Sequence, residues 1–591
     1  MAKSLTVKYQ QRIPVYMQYE KLCLAYENVQ QTSKRLEKTR ILAQLLRESN
    51  QDLRRVTHLL QGRVQAAWQK ETMGVSAKIM IKLLCQVTGR NSKEIHQALR
   101  KTGDLGMVAE QMSSTKNQQT LFAKTLSVKY VYEQLRTLSS IEGVGSTGQK
   151  MKIISELLSH AQPQEAKYIT RTVLEDLRIG IASGTLRDAI IYAFLSKEAG
   201  IEEEEIINRE AYKHVSQAVQ SAYDKTNDFS EVAVNAKKGL EHVQQVRIQL
   251  GVPLKVMLGV RGELTDAFEK LGEEILLQYK YDGFRVEIHK QEDKITIFTR
   301  RLENVTKQFP DIVEAVRENV TCKECILDAE AIGVDAETKK YKPFQEISQR
   351  IRRKYAISET AKKLPVDVRV FDILYKDKEE LLETPLSKRQ EILEETITEQ
   401  ELFGVAQTTI VATLQEANEF FTQAKTAGTE GLFAKKLDST YQPGTRVGNW
   451  MKIKDTMEPL DVVIIGAEWG EGKRKGWLTS FEVAIMDEEG ALLAIGKVGT
   501  GLKELPEEGF SYPEITELLE EHVISEENNA VTIKPTIVVE VAYEEIQKSP
   551  SYASGYALRF PRILRNRTEE RSVEDITPLS YVEELYNNQN S

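Results

Sequence analysis

Lys280-Tyr281-Asp282-Gly283-Phe284-Arg285 stands between an apolar run, Ile275-Leu276-Leu277-Gln278, and an alternating one, Val286-Glu287-Ile288-His289. A lysine just outside a short apolar strand, beside an arginine, reads as a candidate nucleophile. The neighbouring glycine is expected to let another molecule's backbone or phosphate approach. Taken alone, the hexapeptide fits a solvated or salt-bridged strand-end lysine equally well, so the surrounding pattern has to decide.

Outward from the hexapeptide, runs with a period of two predict strands at 275–277, 286–288, 295–298, 325–329, 366–370 and 431–434. Helical stretches intervene at about 303–319, 386–400 and 415–427, which makes residues 251–456 an α+β domain. Charges gather at the strand ends. Arg300 follows one strand, Glu330 closes the next, Phe371-Asp372 closes another, and Glu430 and Lys435 flank Gly431-Leu432-Phe433-Ala434. In Trp450-Met451-Lys452-Ile453-Lys454 the two lysines share one strand face, which is unfavourable unless an anion lies between them.

Before residue 251 the period is helical, as in Ile41, Leu42, Leu45 and Leu46, with Ser92 and Thr185 as expected N-caps. The glycine-containing loops at 143–150 and 178–184 suit either phosphate contacts or plain helix connections. Asn117-Gln118-Gln119-Thr120-Leu121-Phe122 ends in two large apolar side chains that either tuck into their own domain or form a docking peptide. After Pro459 come short strands at 462–467, 478–486, 492–498 and 536–542 with a helix near 512–522, the rhythm of a small barrel. Three domains are therefore expected: all-α over 1–250, α+β over 251–456, and β-barrel over 457–591.

A chain of 591 residues is too long for one core. No apolar run approaches the ~20 residues of a membrane span, and four cysteines make no disulfide framework. The start of the chain lacks the apolar core of a signal peptide, so a reducing, cytoplasmic setting is expected. The net charge of -8 hides an asymmetry: 36 Lys and Arg face 26 Asp and Glu up to residue 250, and 44 face 62 after it. A basic first part points to nucleic acid, and it is equally compatible with the tethering of unlike domains.

Seven elements occur in order: Lys-Tyr-Asp-Gly-Phe-Arg at 280–285, Thr-Arg-Arg-Leu-Glu-Asn-Val-Thr at 299–306, Leu-Asp-Ala-Glu at 327–330, Phe-Asp-Ile-Leu-Tyr at 371–375, Glu-Gly-Leu-Phe-Ala-Lys at 430–435, Trp-Met-Lys-Ile-Lys at 450–454 and Leu-Arg-Phe-Pro-Arg at 558–562. With them the chain resembles the ATP-dependent DNA ligases of the archaeal and eukaryotic replicative type, in the covalent nucleotidyltransferase superfamily. The resemblance runs from about residue 33 to the C-terminus. It implies that Lys280 is adenylated by ATP with loss of pyrophosphate, that AMP passes to the 5′-phosphate of a nick, and that the 3′-hydroxyl then displaces AMP. Such steps need in-line positioning and charge neutralisation, and the lysine must act as a free amine.

The resemblance carries further expectations. Gln278, Arg285, Arg300, Glu330, Phe371, Arg446, Lys452 and Lys454 are expected to hold the nucleotide, with Phe371 stacked on adenine. Glu330 and Glu430 are expected to bind Mg²⁺. The barrel would be an OB-fold whose Arg559 and Arg562 reach the pyrophosphate, hinged at 454–457. The basic helical region would grip nicked duplex DNA. Gln118, Leu121 and Phe122 stand where archaeal relatives carry a sliding-clamp peptide, and a monomer, associated with the nucleoid in a prokaryote or archaeon, is expected.

Some positions depart from the pattern. Gln278 replaces a common glutamate that reads the adenine amino group, and its amide oxygen is expected to accept that hydrogen bond. Glu569-Glu570 stands where relatives commonly have an acid and a lysine. Cys322 and Cys325 read as two ordinary thiols. The rival readings are an RNA ligase or capping-type nucleotidyltransferase, which the large helical domain disfavours, and a non-catalytic nick-binding scaffold, which the full set of lysines and carboxylates disfavours. A NAD-dependent ligase is disfavoured by the absent four-cysteine site.

Overall fold

A computed structural model describes residues 16–69, 72–114, 125–143, 145–342, 346–347, 350–351, 357–454, 457–470, 474–527 and 529–589. Packing divides the chain into two compact units after Ile453. Among the described residues the first unit opens with thirteen α-helices, from Tyr19–Gln31 to Leu240–Gln244. They share one apolar core that runs from Met17 to Val246.

The helix at Ser92–Thr102 is capped one residue earlier than expected, by Asn91, whose side chain accepts from the Glu94 N–H at 3.0 Å. Gly103, at φ +66°, ends it with a left-handed residue. The next expected start also moves: the helix Ser183–Phe194 begins two residues before Thr185, after Ala182, with no side-chain cap. Hydrogen bonds carry the helices onto the strands that follow. Asn227 Nδ2 donates to the Pro253 carbonyl at 2.6 Å, and Lys225 Nζ meets Glu380 at 2.7 Å.

The rest of the first unit is built on two sheets. Its main strands are β1 (Leu258–Arg261), β2 (Ile275–Lys280), β3 (Phe284–Gln291), β4 (Lys294–Thr299), β5 (Glu324–Val334), β6 (Val366–Lys376), β7 (Thr408–Val411), β8 (Gly431–Lys436) and β9 (Arg446–Lys454). One sheet has the central order β6-β5-β3-β4, all antiparallel, and the other runs β7-β2-β8-β9-β1 with β9 parallel to β1. Helices at Pro310–Asn319, Leu386–Thr396 and Leu414–Thr426 stand where the periodicity placed them, with shifted ends. The helix Leu264–Leu271 was not anticipated.

The hexapeptide is the crossing between the sheets. Lys280 is the last residue of β2 in one sheet, and Phe284 is the first of β3 in the other. Gly283 serves that crossing: a Cβ there would lie 2.5 Å from the Ala331 carbonyl oxygen of β5. The close approach anticipated for a foreign phosphate or backbone is made by the chain's own neighbouring strand.

The second unit is a seven-stranded sheet around its own core. Its strands are β10 (Leu460–Trp469), β11 (Leu478–Met486), β12 (Leu492–Val498), β13 (Val523–Glu527), β14 (Ala530–Ile533), β15 (Val538–Ala542) and β16 (Arg562–Asn566). Strand β10 divides its pairing: residues 460–463 bond to β15, and residues 466–468 bond to β14. The helix Tyr512–Glu520 opens with a capping box between Ser511 and Glu514.

Candidate active site

Strand alternation places Gln278 and Lys280 on one face of β2. Across the ladder Gln278 faces Phe433 and Lys280 faces Gly431 of β8. Because Glu430 immediately precedes that glycine, its side chain reaches the lysine, and Lys280 Nζ donates to a Glu430 carboxylate oxygen. The Glu430 N–H donates to the Lys280 carbonyl at 2.8 Å, which fixes both residues by backbone as well as by charge. Both side chains are shielded but reachable, at 15% and 19% exposure.

Glu330 comes from the other sheet, opposite Arg285 in the β3–β5 ladder. Loss of hydration pushes its carboxyl up to about 8; Lys280 and Arg285 oppose this, while Glu430 and Asp328 add to it. Two carboxylates and an amine thus converge from β2, β5 and the start of β8. Among the described residues no group of three or more His, Cys, Asp or Glu side chains has the form of a closed metal site. Two carboxylates fit Mg²⁺, which keeps waters and substrate phosphates in its shell.

Arg285 is largely committed to the protein. Its Nε donates to Asp328 at 2.7 Å, Nη1 to the Met257 carbonyl at 2.7 Å, and Nη2 to both Asp328 and the Tyr441 hydroxyl. Tyr441 in turn donates to Asp328 at 2.8 Å. Four of the five guanidinium N–H groups are thereby used.

Phe371, half-buried on β6, has the Arg285 guanidinium 5.1 Å and the Lys435 amine 5.0 Å from its ring centre. Behind it, Asp372 and Arg389 form a fully buried pair, with Nε and Nη2 at 2.7 and 2.9 Å from the two carboxylate oxygens. Lys435 is fully buried as well. Its amine donates to Gln278 Oε1 at 2.5 Å and lies 4.0 Å from the Trp450 ring centre. Burial pushes it down to about 7, against the pull of Asp372. The Gln278 oxygen, expected to accept from adenine, is therefore already engaged.

The remaining expected residues stand on other elements of the two units. Arg300 is exposed in the turn after β4, Arg446 is exposed at the first position of β9, and Lys452 is half-buried further along that strand. Lys454, in the second unit, has its amine 3.6 Å from Glu544. Within that unit Arg559 pairs with Glu545 at 2.6 Å, and Arg562 is exposed at the start of β16. Glu570 meets Arg565 and Arg567 at 2.9 and 3.2 Å. Cys322 and Cys325 are free thiols. Gln118, Leu121 and Phe122 lie outside the described residues.

Asp328, Tyr441, Asp372, Arg389 and Lys435 support the centre without having been singled out as site residues. Their signal was present in part: Asp328 and Asp372 sit inside Leu-Asp-Ala-Glu and Phe-Asp-Ile-Leu-Tyr, and Lys435 ends Glu-Gly-Leu-Phe-Ala-Lys.

Comparison with known proteins bears on the family and the fold. Family models described as DNA ligase N terminus, ATP dependent DNA ligase domain and ATP dependent DNA ligase C terminal region match residues 18–191, 257–454 and 474–570. A DNA ligase of Nanoarchaeum equitans is 42% identical, over 96% of this chain and 98% of its own. One of Thermococcus fumicolans is 40% identical with the same coverage. A solved structure designated Pmar-Lig_PreS3 shares the fold at 14% identity, with a TM-score of 0.55 over 92% of this chain and 99% of its own. By sequence over nearly its whole length, the chain belongs to the ATP-dependent DNA ligase family.

Proposed function

We propose that this protein seals nicks in duplex DNA with ATP by way of a covalent Lys280–AMP intermediate. The observation that carries the reading is the Lys280 amine held by Glu430 beside Glu330, at the crossing of two sheets. The lysine nitrogen attacks the α-phosphorus, the bond to the bridging oxygen breaks, and pyrophosphate leaves. AMP then moves to the 5′-phosphate of the nick and is displaced by the 3′-hydroxyl. Membership of the family supports the use of ATP and the joining of nicked DNA.

Roles follow from chemistry. Phe371 stacks on the adenine, and Arg300, Arg446, Lys452 and Lys454 neutralise phosphate charge, with Arg285 orienting the site through Asp328. Mg²⁺ held by Glu330 and Glu430 would supply further charge neutralisation at the phosphates. Glu430 also fixes the direction of the Lys280 amine and is the nearest group to take its proton. Arg559 and Arg562, on an OB-fold over 457–591, would act on the departing pyrophosphate.

The basic helical region, 1–250, would supply phosphate contacts that give affinity without sequence preference. Gln118, Leu121 and Phe122 would dock on a sliding clamp, and the enzyme would work as a monomer in the cytoplasm, in replication, repair and recombination. No described helix is long and apolar enough to cross a membrane.

The test is label transfer from ATP carrying ³²P at the α-phosphate. Wild type should retain label, and Lys280→Ala should not, while the variant still joins a nick that is already adenylated. Label retained by the variant would overturn the assignment.

A further inference from the structure

Cys322 and Cys325 stand three positions apart at a bend that leads into β5. Both are buried in the core of the first sheet, at 6% and 0% exposure, and the two thiols are hydrogen-bonded to each other. Thr321 and Lys323, on either side of Cys322, are exposed, so the Cys322 sulfur lies just beneath the surface and that of Cys325 further in. The backbone around them is held on three sides. Lys323 and Glu324 N–H both donate to Asp377 Oδ1, at 3.1 and 2.9 Å; Glu292 N–H donates to the Lys323 carbonyl at 2.8 Å; Thr321 N–H donates to the Thr396 carbonyl at 3.0 Å. Thiols already in contact on a fixed backbone can be joined by turning the two side chains.

The pair is polarised. Donation from the Cys325 S–H holds the Cys322 thiol below its ordinary range, with Lys290 and Lys376 helping and burial and Asp377 opposing. The same hydrogen bond, followed by burial, pushes the Cys325 thiol well up. Lys290 stands opposite Cys325 in the β3–β5 ladder, buried, with its amine donating to the Val320 carbonyl. Burial pushes up the thiols of Cys23 and Cys85. Cys322 alone of the four cysteines is thus drawn toward the thiolate, the nucleophilic form, and it has a second thiol in reach.

We propose that Cys322 and Cys325 form a reversible dithiol–disulfide couple, in which Cys322 reacts with peroxides and Cys325 resolves the product. The Cys322 thiolate attacks one oxygen of hydrogen peroxide, the O–O bond breaks, and hydroxide leaves and takes up a proton; a sulfenic acid remains. The Cys325 sulfur then attacks the Cys322 sulfur. The S–S bond forms, the S–O bond breaks, and the hydroxyl leaves as water with the Cys325 proton. Two thiols have lost two electrons and two protons, and the peroxide has become two waters. A water-sized oxidant suits a sulfur so little exposed, where a bulky disulfide reagent has no approach. Cys325 shares its core with Leu327, Ala329 and Ala331, while alternation turns Asp328 and Glu330 to the other face of β5, so the couple lies apart from the site of Lys280.

The test treats the native full-length protein with a small excess of hydrogen peroxide, removes the peroxide with catalase, and unfolds the chain in iodoacetamide. Reduction with dithiothreitol and a second alkylation with N-ethylmaleimide follow, and peptide mass spectrometry assigns the two labels. Cys322 and Cys325 should carry N-ethylmaleimide, with the intact mass before reduction lower by two hydrogens, and Cys23 and Cys85 should carry iodoacetamide. In Cys325→Ser, which lacks the resolving thiol, dimedone should trap the oxidised Cys322 and no loss of two hydrogens should appear. Cys322 and Cys325 both carrying iodoacetamide would overturn the proposal, as would oxidation of Cys85 ahead of them or a disulfide that joins two molecules. Those readings come from wild type and stand even if the variant is poorly folded.

Discussion

Lys280 and Glu430 are joined twice, by amine to carboxylate and by the Glu430 N–H to the Lys280 carbonyl, at the point where β2 ends and β8 begins. The backbone bond survives substitution of either side chain. Glu430→Ala is therefore expected to fold while leaving the amine without its anchor. Self-adenylation should fall about 10²–10³-fold, in the range of a lost positioning or proton-accepting group. Rapid-quench labelling at saturating ATP would measure it, and a rate within threefold of wild type would remove Glu430 from the mechanism.

Glu330 gives a pH dependence with a definite sign. Its folded-state value is raised from the ordinary 4.5 to about 8, chiefly by loss of hydration. Between those limits the folded state binds the proton that the unfolded state has released, so stability falls as pH rises from 4.5 to about 8. The slope is at most about 1.4 kcal/mol per pH unit. Glu330→Gln should flatten this part of the stability profile in metal-free buffer and raise Tm more at pH 8 than at pH 5. Calorimetry with the two proteins side by side checks it; parallel profiles would count against the assignment.

Asp372 and Arg389 are both without solvent exposure, and Arg389 also donates to the Thr384 and Ser439 carbonyls at 2.5 and 3.1 Å. Asp372→Asn leaves a buried guanidinium facing a neutral amide, a loss of about 3–5 kcal/mol. Because Phe371 precedes Asp372, nucleotide affinity should weaken in the fraction that remains folded. Urea denaturation, with ATP titration of the folded protein, would measure both.

Gly283→Ala should be far more damaging than its size suggests. Besides the Ala331 oxygen, the added methyl would meet Glu330 Cγ at 3.0 Å, so the β3–β5 ladder or the carboxylate must move. A loss of about 1–3 kcal/mol is expected, with a fall in labelling larger than the unfolded fraction explains. Wild-type labelling in the alanine variant would show that the close approach has no part in placing Glu330.

The strands that bear the site were legible because burial on one or both faces imposes a period of two, and the chemical residues fall at their ends. What was not legible depends on distance along the chain. Arg285 meets Asp328 across 43 positions, Tyr441 meets Asp328 across 113, and Lys435 meets Gln278 across 157. Local pattern cannot distinguish a lysine that closes a strand in water from one wrapped in Phe371, Phe433 and Trp450. The 2-residue and fully exposed strands also escaped. Val523–Glu527, exposed at every position, has no buried face to impose alternation. Gln278 was visible as a departure, but that its oxygen is taken by Lys435 was not.

The knot of Arg285, Asp328 and Tyr441 ties β3 and β5 of one sheet to the segment that leads into β9 of the other. Each member satisfies the other two, so removing any one strands a buried charge or hydroxyl, and a second removal costs less than the first. The three side chains therefore act as one clasp between the two sheets, and the clasp opens as a whole when any member is lost.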